Sequence, residues 1–123
     1  MNSYEEVMKI YNKLSYYERQ FVIPKEDSIY RYVIKDKAFI DIIPYCKSKD
    51  SGLVNIAVLL KYRRQGLTKT LVNKAVENCK ELGIKSLIWK CKIINNQSYM
   101  AAKSNGFNFI LKEDDELILE RIV

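Results

Sequence analysis

The chain has 123 residues, which is enough for one domain with a buried core and too few for two. Its 48% hydrophobic and 29% charged residues are typical of a globular domain, and no apolar run is long enough to cross a bilayer. The chain contains no histidine, which excludes serine–histidine triads, cysteine–histidine dyads and histidine-ligated zinc.

The N-terminal sequence and the cysteines bear on the compartment. Residues 1–6 are polar and acidic with no apolar signal core, so we expect a cytoplasmic protein. The cysteines, Cys46, Cys79 and Cys91, are odd in number and have no Cys-x-x-Cys spacing. They predict reduced thiols, with Cys79 and Cys91 as small core residues, and neither a zinc site nor a disulfide framework.

The charge is unevenly distributed along the chain, whose formal net charge is +6. Residues 112–121 carry two bases and five acids, a net charge of −3, which leaves +9 on residues 1–111. This excess of bases indicates a polyanionic ligand, either the phosphates of a nucleotide or a nucleic acid. Charge alone does not decide between these ligands, because 16 of the 21 basic residues are lysines scattered through the chain.

The first part of the chain predicts one helix followed by three strands. Apolar residues at helical spacing and a capping Ser3 predict an amphipathic helix over 3–19. Two runs rich in β-branched and aromatic residues predict a hairpin, and a polar loop then leads to a third strand. The hairpin strands are 29–34 and 38–45, the loop is 47–52, and the third strand is 53–59.

The second part alternates helices and strands. The apolar period becomes helical after Gly66, and Gly83 closes this helix as a C-terminal cap. Asn95 or Asn96 begins another helix, which ends at Asn105-Gly106. The chain 1–123 is therefore predicted to be a single α/β domain, an α+β mixed sheet of order α-β-β-β-α-β-α-β-β. The remaining predicted strands are 86–91, 107–111 and 116–122.

The segment 58–69 carries the clearest chemical pattern. A buried strand ends, a basic loop follows, and a helix begins at Gly66. The unpaired N–H groups of a first helical turn bind phosphate, and glycine lets the anion approach the backbone. Arg63, Arg64 and Lys69 add positive charge at the same place. The segment therefore predicts a phosphate site, although a solvated basic loop before an ordinary helix has the same pattern.

Two blocks of the sequence resemble the GNAT superfamily of N-acetyltransferases. Residues 63–68 match the family pattern Gln/Arg-x-x-Gly-x-Gly/Ala, except that Thr68 replaces the usual Gly or Ala. Residues 95–107 are similar to the family's asparagine-initiated helix that ends in Gly-Phe. The resemblance covers about residues 28–123 by its pattern of strands and helices and implies a GNAT-like fold, shortened at the N-terminus.

The resemblance implies a site for acetyl-coenzyme A as co-substrate, with no metal. Asn55–Val58 looks like the family's bulged strand, whose edge binds the pantetheine arm. Asn95 would cap its helix and also contact this arm. The cofactor-binding residues carried over in this way are Ala57, Val58, Arg63, Arg64, Gln65, Gly66, Leu67, Thr68, Lys69, Asn95 and Ser98.

The sequence departs from the family pattern in two places. The family usually opens with a strand and often has two helices next, whereas this chain predicts one helix and no leading strand. The family often places a tyrosine, the general acid for the leaving thiolate, where this chain has Ala102. Loss of that tyrosine need not abolish activity, because a thiol of pKa about 8.5 is already a good leaving group near neutral pH.

Asp41 and Tyr99 are the candidate catalytic side chains. Asp41 interrupts an apolar strand and is the candidate general base, although strand alternation also predicts a polar residue that faces water. Tyr99 lies one helical turn before Ala102 and could replace the absent hydroxyl, with a core aromatic as the alternative.

The sequence therefore predicts an acetyl-coenzyme A-dependent N-acetyltransferase whose primary-amine acceptor attacks the thioester directly. The acceptor would be a small molecule or a peptide amine, and the protein a monomer or homodimer that binds neither nucleic acid nor membrane. The acidic run 113–116 would repel a phosphate backbone and attract a cationic amine. Two alternatives stay open. One is a non-catalytic coenzyme A-binding module, which Ala102 favours. The other is a small basic RNA-binding domain, against which the sequence shows no glycine-aromatic RNA-binding motif.

Overall fold

A computed structural model of the protein describes residues 3–123, which form four α-helices and six strands. No helix in this part of the chain is both long and apolar enough to cross a membrane. A short 3₁₀ turn, Leu60–Tyr62, precedes the third helix. The helices are α1 (Tyr4–Tyr11), α2 (Tyr16–Arg19), α3 (Leu67–Glu81) and α4 (Asn96–Ser104). The strands are β1 (Tyr30–Ile34), β2 (Ala38–Tyr45), β3 (Ser48–Val58), β4 (Ser86–Lys92), β5 (Asn108–Glu113) and β6 (Glu116–Ile122).

The six strands form one mixed sheet in the order β1-β2-β3-β4-β6-β5. Neighbouring strands are antiparallel except β3 and β4, which are parallel and are joined through α3. Parallel neighbours need such a crossover, because a tight turn can join only antiparallel strands. Helix α4 then leads to β5 at the sheet edge, and β6 returns between β5 and β4. The predicted α/β class with a mixed sheet is confirmed.

The N-terminal segment forms two helices, so the prediction of one helix over 3–19 is wrong. Ser3 caps α1 as predicted, and its side chain accepts a hydrogen bond from the Glu6 N–H at 3.3 Å. The α-helix ends at Tyr11, and Ser15 caps α2. Ser15 and Glu18 form a capping box, in which each side chain accepts a hydrogen bond from the other residue's backbone N–H. This capping box starts a new helix in place of a continuation of the first.

Strand β3 begins at Ser48, so the predicted loop over 47–52 is wrong. The segment pairs with β2, with Gly52 opposite Pro44 and Ser48 opposite Tyr45 across a register shift. Its residues have the composition of a turn, but pairing with β2 satisfies their backbone groups while the side chains at the hairpin end stay exposed.

Two apolar clusters cover the two faces of the sheet. On the α3/α4 face, residues of both helices pack against Ile40 of β2. On the α1/α2 face, residues of α1 pack against Phe39 of β2 and Ala57 of β3. Cys79 and Cys91 are buried in the first cluster, as predicted, and burial raises the pKa of the Cys79 thiol to about 11.

The parallel strands β3 and β4 separate part of the way along their length. Their register runs from Ser51 opposite Ser86 to Leu53 opposite Ile88 and ends there. Beyond this point β3 continues to Val58 and β4 to Lys92 without pairing with each other. The facing backbone groups of the two strand ends can therefore bind a group that enters between them.

Candidate active site

A cleft of about 520 Å³, here called the inter-strand cleft, lies between the separated ends of β3 and β4. Val58 lines it from β3 and Trp89 from β4. Tyr17 and Glu18 of α2, with Phe21 just after it, form another wall. Helix α2 thus helps to enclose the space that the strand separation opens.

A second groove of about 500 Å³, here called the loop groove, passes over the start of α3 towards α4. Gly66, Leu67 and Lys69 line it on one side, and Met100 and Ser104 of α4 line it on the other. The two spaces share six lining residues, so they form one continuous channel from α2 to the start of α3. The shared residues are Val58, Arg63, Arg64, Thr68, Gln97 and Ala101.

The backbone donors at the end of β3 divide between the two edges of the strand. The Leu59 N–H donates to the Lys37 carbonyl, on the β2 side, at 2.9 Å. N–H directions alternate along an extended chain, so Ala57 also faces β2, whereas Ile56 and Val58 face the inter-strand cleft. Of the two strand residues carried over from the resemblance, Val58 offers its N–H to the cleft and Ala57 does not.

Gly66 occupies the N-cap position directly before helix α3, with a φ of +78° and no atom within 4 Å of the position a β-carbon would take. Glycine has no side chain to cap the helix, and the N–H groups of a first helical turn have no intrahelical partner. In α3 these groups belong to Leu67, Thr68 and Lys69, and all three residues line the loop groove. The open space, the unpaired donors and the helix dipole fit the phosphates of a coenzyme.

The other residues of the loop differ in what they contact. Arg63 donates from Nε to the Val58 carbonyl at 2.8 Å, and its Nη2 donates to the Glu18 carboxylate, so its charge is already paired. Arg64 and Lys69 are exposed and line the loop groove, which places them better for a phosphate. The exposed Gln65 contributes to the lining of neither space.

Asp41 does not lie at the channel. It is fully buried on β2 opposite Arg31 of β1, and the Arg31 Nε donates to its Oδ1 at 2.6 Å. Burial raises the pKa of Asp41, and the hydrogen bonds from Arg31 and Ser28 offset this only in part. This placement makes Asp41 the partner of a structural ion pair and argues against the predicted role of general base.

Asn95 and Ser98 hold the start of α4 against the wall of the inter-strand cleft. The Asn95 side chain caps the helix by accepting a hydrogen bond from the Ser98 N–H at 3.1 Å. The Ser98 hydroxyl accepts one from the Trp89 indole at 3.0 Å. All three residues line the cleft, so the cap position and the cleft wall are built together.

Tyr99 and Ala102 both belong to the core of the α3/α4 face. Tyr99 packs against that core and contributes to the lining of neither space, and Ala102 is fully buried in it. Ala101 faces the channel instead. The geometry favours the interpretation of Tyr99 as a core aromatic.

Two charged residues of the inter-strand cleft, Glu18 and Lys90, were not singled out from the sequence. The spacing Ser15-x-x-Glu18 is a capping-box pattern that could have revealed α2. Burial raises the pKa of Glu18, but hydrogen bonds from Arg63 and Ser15 outweigh it and leave the pKa below its ordinary value. Lys90 carries no local signal, because only the packing of its neighbours shows which face it occupies.

Three of the four carboxylates in the acidic run 113–116 form ion pairs with lysines, and of these lysines Lys90 lines the inter-strand cleft. These carboxylates therefore neutralise lysine side chains and are less available to bind an acceptor. The pairs are Glu113 with Lys47, Asp115 with Lys92 at 3.1 Å, and Glu116 with Lys90 at 4.0 Å.

A mixed sheet whose parallel pair separates beside a glycine-initiated helix defines an α/β domain that can hold an extended, phosphate-bearing ligand. The model of the acetyltransferase (GNAT) family matches residues 5–107. The chain belongs to this family, and the match includes α1 and α2, which lie outside the resemblance found over residues 28–123. The comparison with curated protein sequences yields no match.

Solved structures share the fold. The GNAT domain of S. lividans PAT is 16% identical, with a TM-score of 0.72 over 98% of this chain and 85% of that one. The ribosomal-protein-S18-alanine N-acetyltransferase from Escherichia coli is 22% identical, with a TM-score of 0.59 over 74% of this chain and 64% of that one. The PaiA N-acetyltransferase from Thermoplasma acidophilum, solved with coenzyme A, is 18% identical, with a TM-score of 0.64 over 71% and 54%. The chain thus spans less than two thirds of the length of the last two.

Proposed function

We propose that the protein is an acetyl-coenzyme A-dependent N-acetyltransferase that acts on a primary amine. The observation that carries this proposal is the continuous channel from the separated ends of β3 and β4 to the start of α3. Membership of the GNAT family and the shared fold of N-acetyltransferases support it.

The two halves of the channel match the two halves of the coenzyme. The Val58 N–H faces the gap beside the loop and would donate to an amide carbonyl of the pantetheine arm. The first turn of α3, with Arg64 and Lys69, would bind the phosphates. Arg63 would act indirectly, because its bonds to the Val58 carbonyl and to Glu18 hold the loop against the strand end.

Acetyl-coenzyme A supplies a thioester whose acetyl carbon bonds to the amine nitrogen as the C–S bond breaks and coenzyme A leaves as a thiol. The chain orients this reaction and stabilises charge. The Ile56 N–H faces the cleft further from the loop than Val58 and is placed to donate to an oxygen that gains negative charge. A protein acid is not required, because a thiol of pKa about 8.5 leaves readily near neutral pH.

Glu18 lies at the α2 end of the channel, which we call the acceptor end because the amine would bind there. Its lowered pKa keeps it ionised at neutral pH and makes it a weak base. It would therefore hold the ammonium form of the acceptor, which loses its proton to water before attack. This assignment moves the carboxylate role from Asp41, which is buried elsewhere, to α2.

A non-catalytic coenzyme A-binding module is the second candidate, because position 102 is a buried alanine and Tyr99 packs in the core. Thermal unfolding separates the candidates when combined with an assay for thiol release. Acetyl-coenzyme A at 100 times its Kd should stabilise the protein by about 2.7 kcal/mol, and ATP or short RNA should not. Release of thiol on addition of amines, with an acetylated product seen by mass spectrometry, supports the enzyme. Stabilisation without turnover of any amine supports the module, and salt-sensitive stabilisation by RNA alone contradicts both.

The Tyr99→Phe variant should turn over amines at close to the wild-type rate. The hydroxyl of Tyr99 lies outside the channel, whereas a positioned acid contributes about 10²- to 10⁴-fold. Steady-state kinetics with acetyl-coenzyme A and the best amine would measure this. A hundredfold drop in kcat with an unchanged melting temperature would return Tyr99 to the role of acid.

A further inference from the structure

The charges at the acceptor end of the inter-strand cleft indicate which amine it takes. Resting on the proposed N-acetyltransferase function, we infer that the acceptor is a small α-amino acid with an apolar side chain. Its ammonium group binds Glu18 and its carboxylate binds Lys90.

Lys90 lies on the acceptor side of the sheet. Its neighbours on β4, Trp89 and Cys91, pack into the core of the α3/α4 face, so strand alternation turns Lys90 towards the α1/α2 face. Its side chain lines the inter-strand cleft and is 30% exposed. The Lys90 Nζ is 4.0 Å from the Glu116 Oε1, which is too far for a hydrogen bond and leaves its donors available to a ligand.

The other cations that line this cleft are committed elsewhere. Arg63 is bound to Glu18 and to the Val58 carbonyl. Arg64 belongs to the loop that would bind the coenzyme phosphates. Of the basic residues that line the cleft, Lys90 is therefore the one that can bind an anionic group on the acceptor.

Glu18 supplies the opposite charge in the same cleft. One of its oxygens accepts from the Ser15 N–H and the other from Arg63, which leaves lone pairs on both for an ammonium group. A carboxylate on α2 and an ammonium on β4, both facing one cleft, complement a ligand that carries both charges.

The remaining side chains at this end of the cleft are apolar, which favours an acceptor with an apolar side chain. Leu14, Tyr17, Phe21 and Val22 line the cleft, and the rings of Tyr17 and Phe21 meet edge to face at 5.0 Å. The cleft must also admit the thioester end of the coenzyme within its volume of about 520 Å³, which favours a small acceptor. A peptide N-terminus lacks the α-carboxylate and would leave Lys90 with only its 4.0 Å ion pair to Glu116.

The test compares acceptors that differ only in the carboxylate. Phenylalanine, phenylalanine amide and phenethylamine would be assayed by thiol release, together with the leucine pair of acid and amide. The wild-type protein should prefer each amino acid to its amide by about 10- to 100-fold in kcat/KM, the range of one charge-assisted hydrogen bond. Lys90→Gln should remove this preference by raising KM for the amino acids towards that for the amides.

Lys92→Gln is the matched control, since Lys92 lies two residues along the same strand and bonds Asp115 at 3.1 and 3.2 Å outside the cleft. This variant should keep the wild-type preference. Acetylation of the amides and phenethylamine as efficiently as of the amino acids would overturn the inference and leave the N-acetyltransferase function intact. Failure to acetylate any amine, despite binding of acetyl-coenzyme A, would overturn both.

Discussion

The Gly66→Val variant should bind acetyl-coenzyme A at least about 100-fold more weakly than the wild-type protein. A side chain at position 66 would occupy the open space at the start of α3, where a β-carbon now meets no atom within 4 Å. Valine would hold a phosphate away from the first-turn N–H groups, and each charge-assisted hydrogen bond lost costs about 1.5–3 kcal/mol. Isothermal titration calorimetry would measure the loss directly.

The same substitution also strains the backbone, and Gly83 separates this effect from the loss of the ligand. Both glycines have a positive φ, +78° and +82°, both have open space around the β-carbon position, and they lie at opposite ends of α3. Each valine variant should lose about 1–2 kcal/mol of stability, the usual cost of a left-handed conformation. Gly83→Val should nevertheless bind acetyl-coenzyme A normally. Undiminished binding in Gly66→Val, or an equal loss in both variants, would count against this phosphate site.

Where one local pattern dominates, the sequence predicts the first and last residues of an element correctly. The bounds of β2 and β6 agree with the predicted 38–45 and 116–122, because dense apolar runs are bounded by polar turns. The prediction fails where two local patterns compete. Leu14 continues the apolar helical spacing, whereas Ser15 directly after it caps a new helix. The polar residues at 48–52 pair with β2 although their composition favours a loop.

The two ends of the channel differ in how far the sequence predicts them. The end proposed to bind phosphate is local in sequence, since a single loop and the first turn of α3 supply its glycine, its donors and its cations. The end proposed to bind the acceptor combines Glu18 of α2 with Lys90 of β4, which only the tertiary fold brings into one cleft. Asp41 is the more conspicuous carboxylate in the sequence, but the cross-strand register that places Arg31 opposite it is a property of the sheet.

Replacing Asp41 with alanine should lower the free energy of unfolding by about 3–5 kcal/mol, the usual cost of leaving one partner of a buried ion pair alone. The Arg31 side chain is only 8% exposed and would lose its carboxylate. It cannot easily turn to water, because its guanidinium also bonds the Lys25 carbonyl and lies 5.6 Å from the centre of the Tyr4 ring. Urea unfolding of the wild-type and variant proteins would measure the difference.

The double variant Arg31→Met/Asp41→Leu should recover most or all of this loss. Burial raises the pKa of Asp41 despite the hydrogen bonds from Arg31 and Ser28, and removing a charged pair from water carries a desolvation cost. Apolar side chains in both places avoid that cost, and such replacements of buried ion pairs are often neutral or stabilising by about 1–4 kcal/mol. A double variant that is no more stable than Asp41→Ala would show that the ion pair itself holds β1 to β2.

Asp41→Asn separates the structural role of this residue from a catalytic one. A carboxyl group whose folded pKa is raised above its ordinary value of 3.8 stabilises the fold fully below that pH, and the contribution is lost as pH rises through the folded pKa. Asparagine does not ionise, so the unfolding free energy of Asp41→Asn relative to wild type should increase as pH rises above about 4. Its turnover of amines should stay at the wild-type level, because Asp41 lies outside the channel. A loss of about 10²-fold or more in kcat, with wild-type affinity for acetyl-coenzyme A, would instead identify Asp41 as the general base.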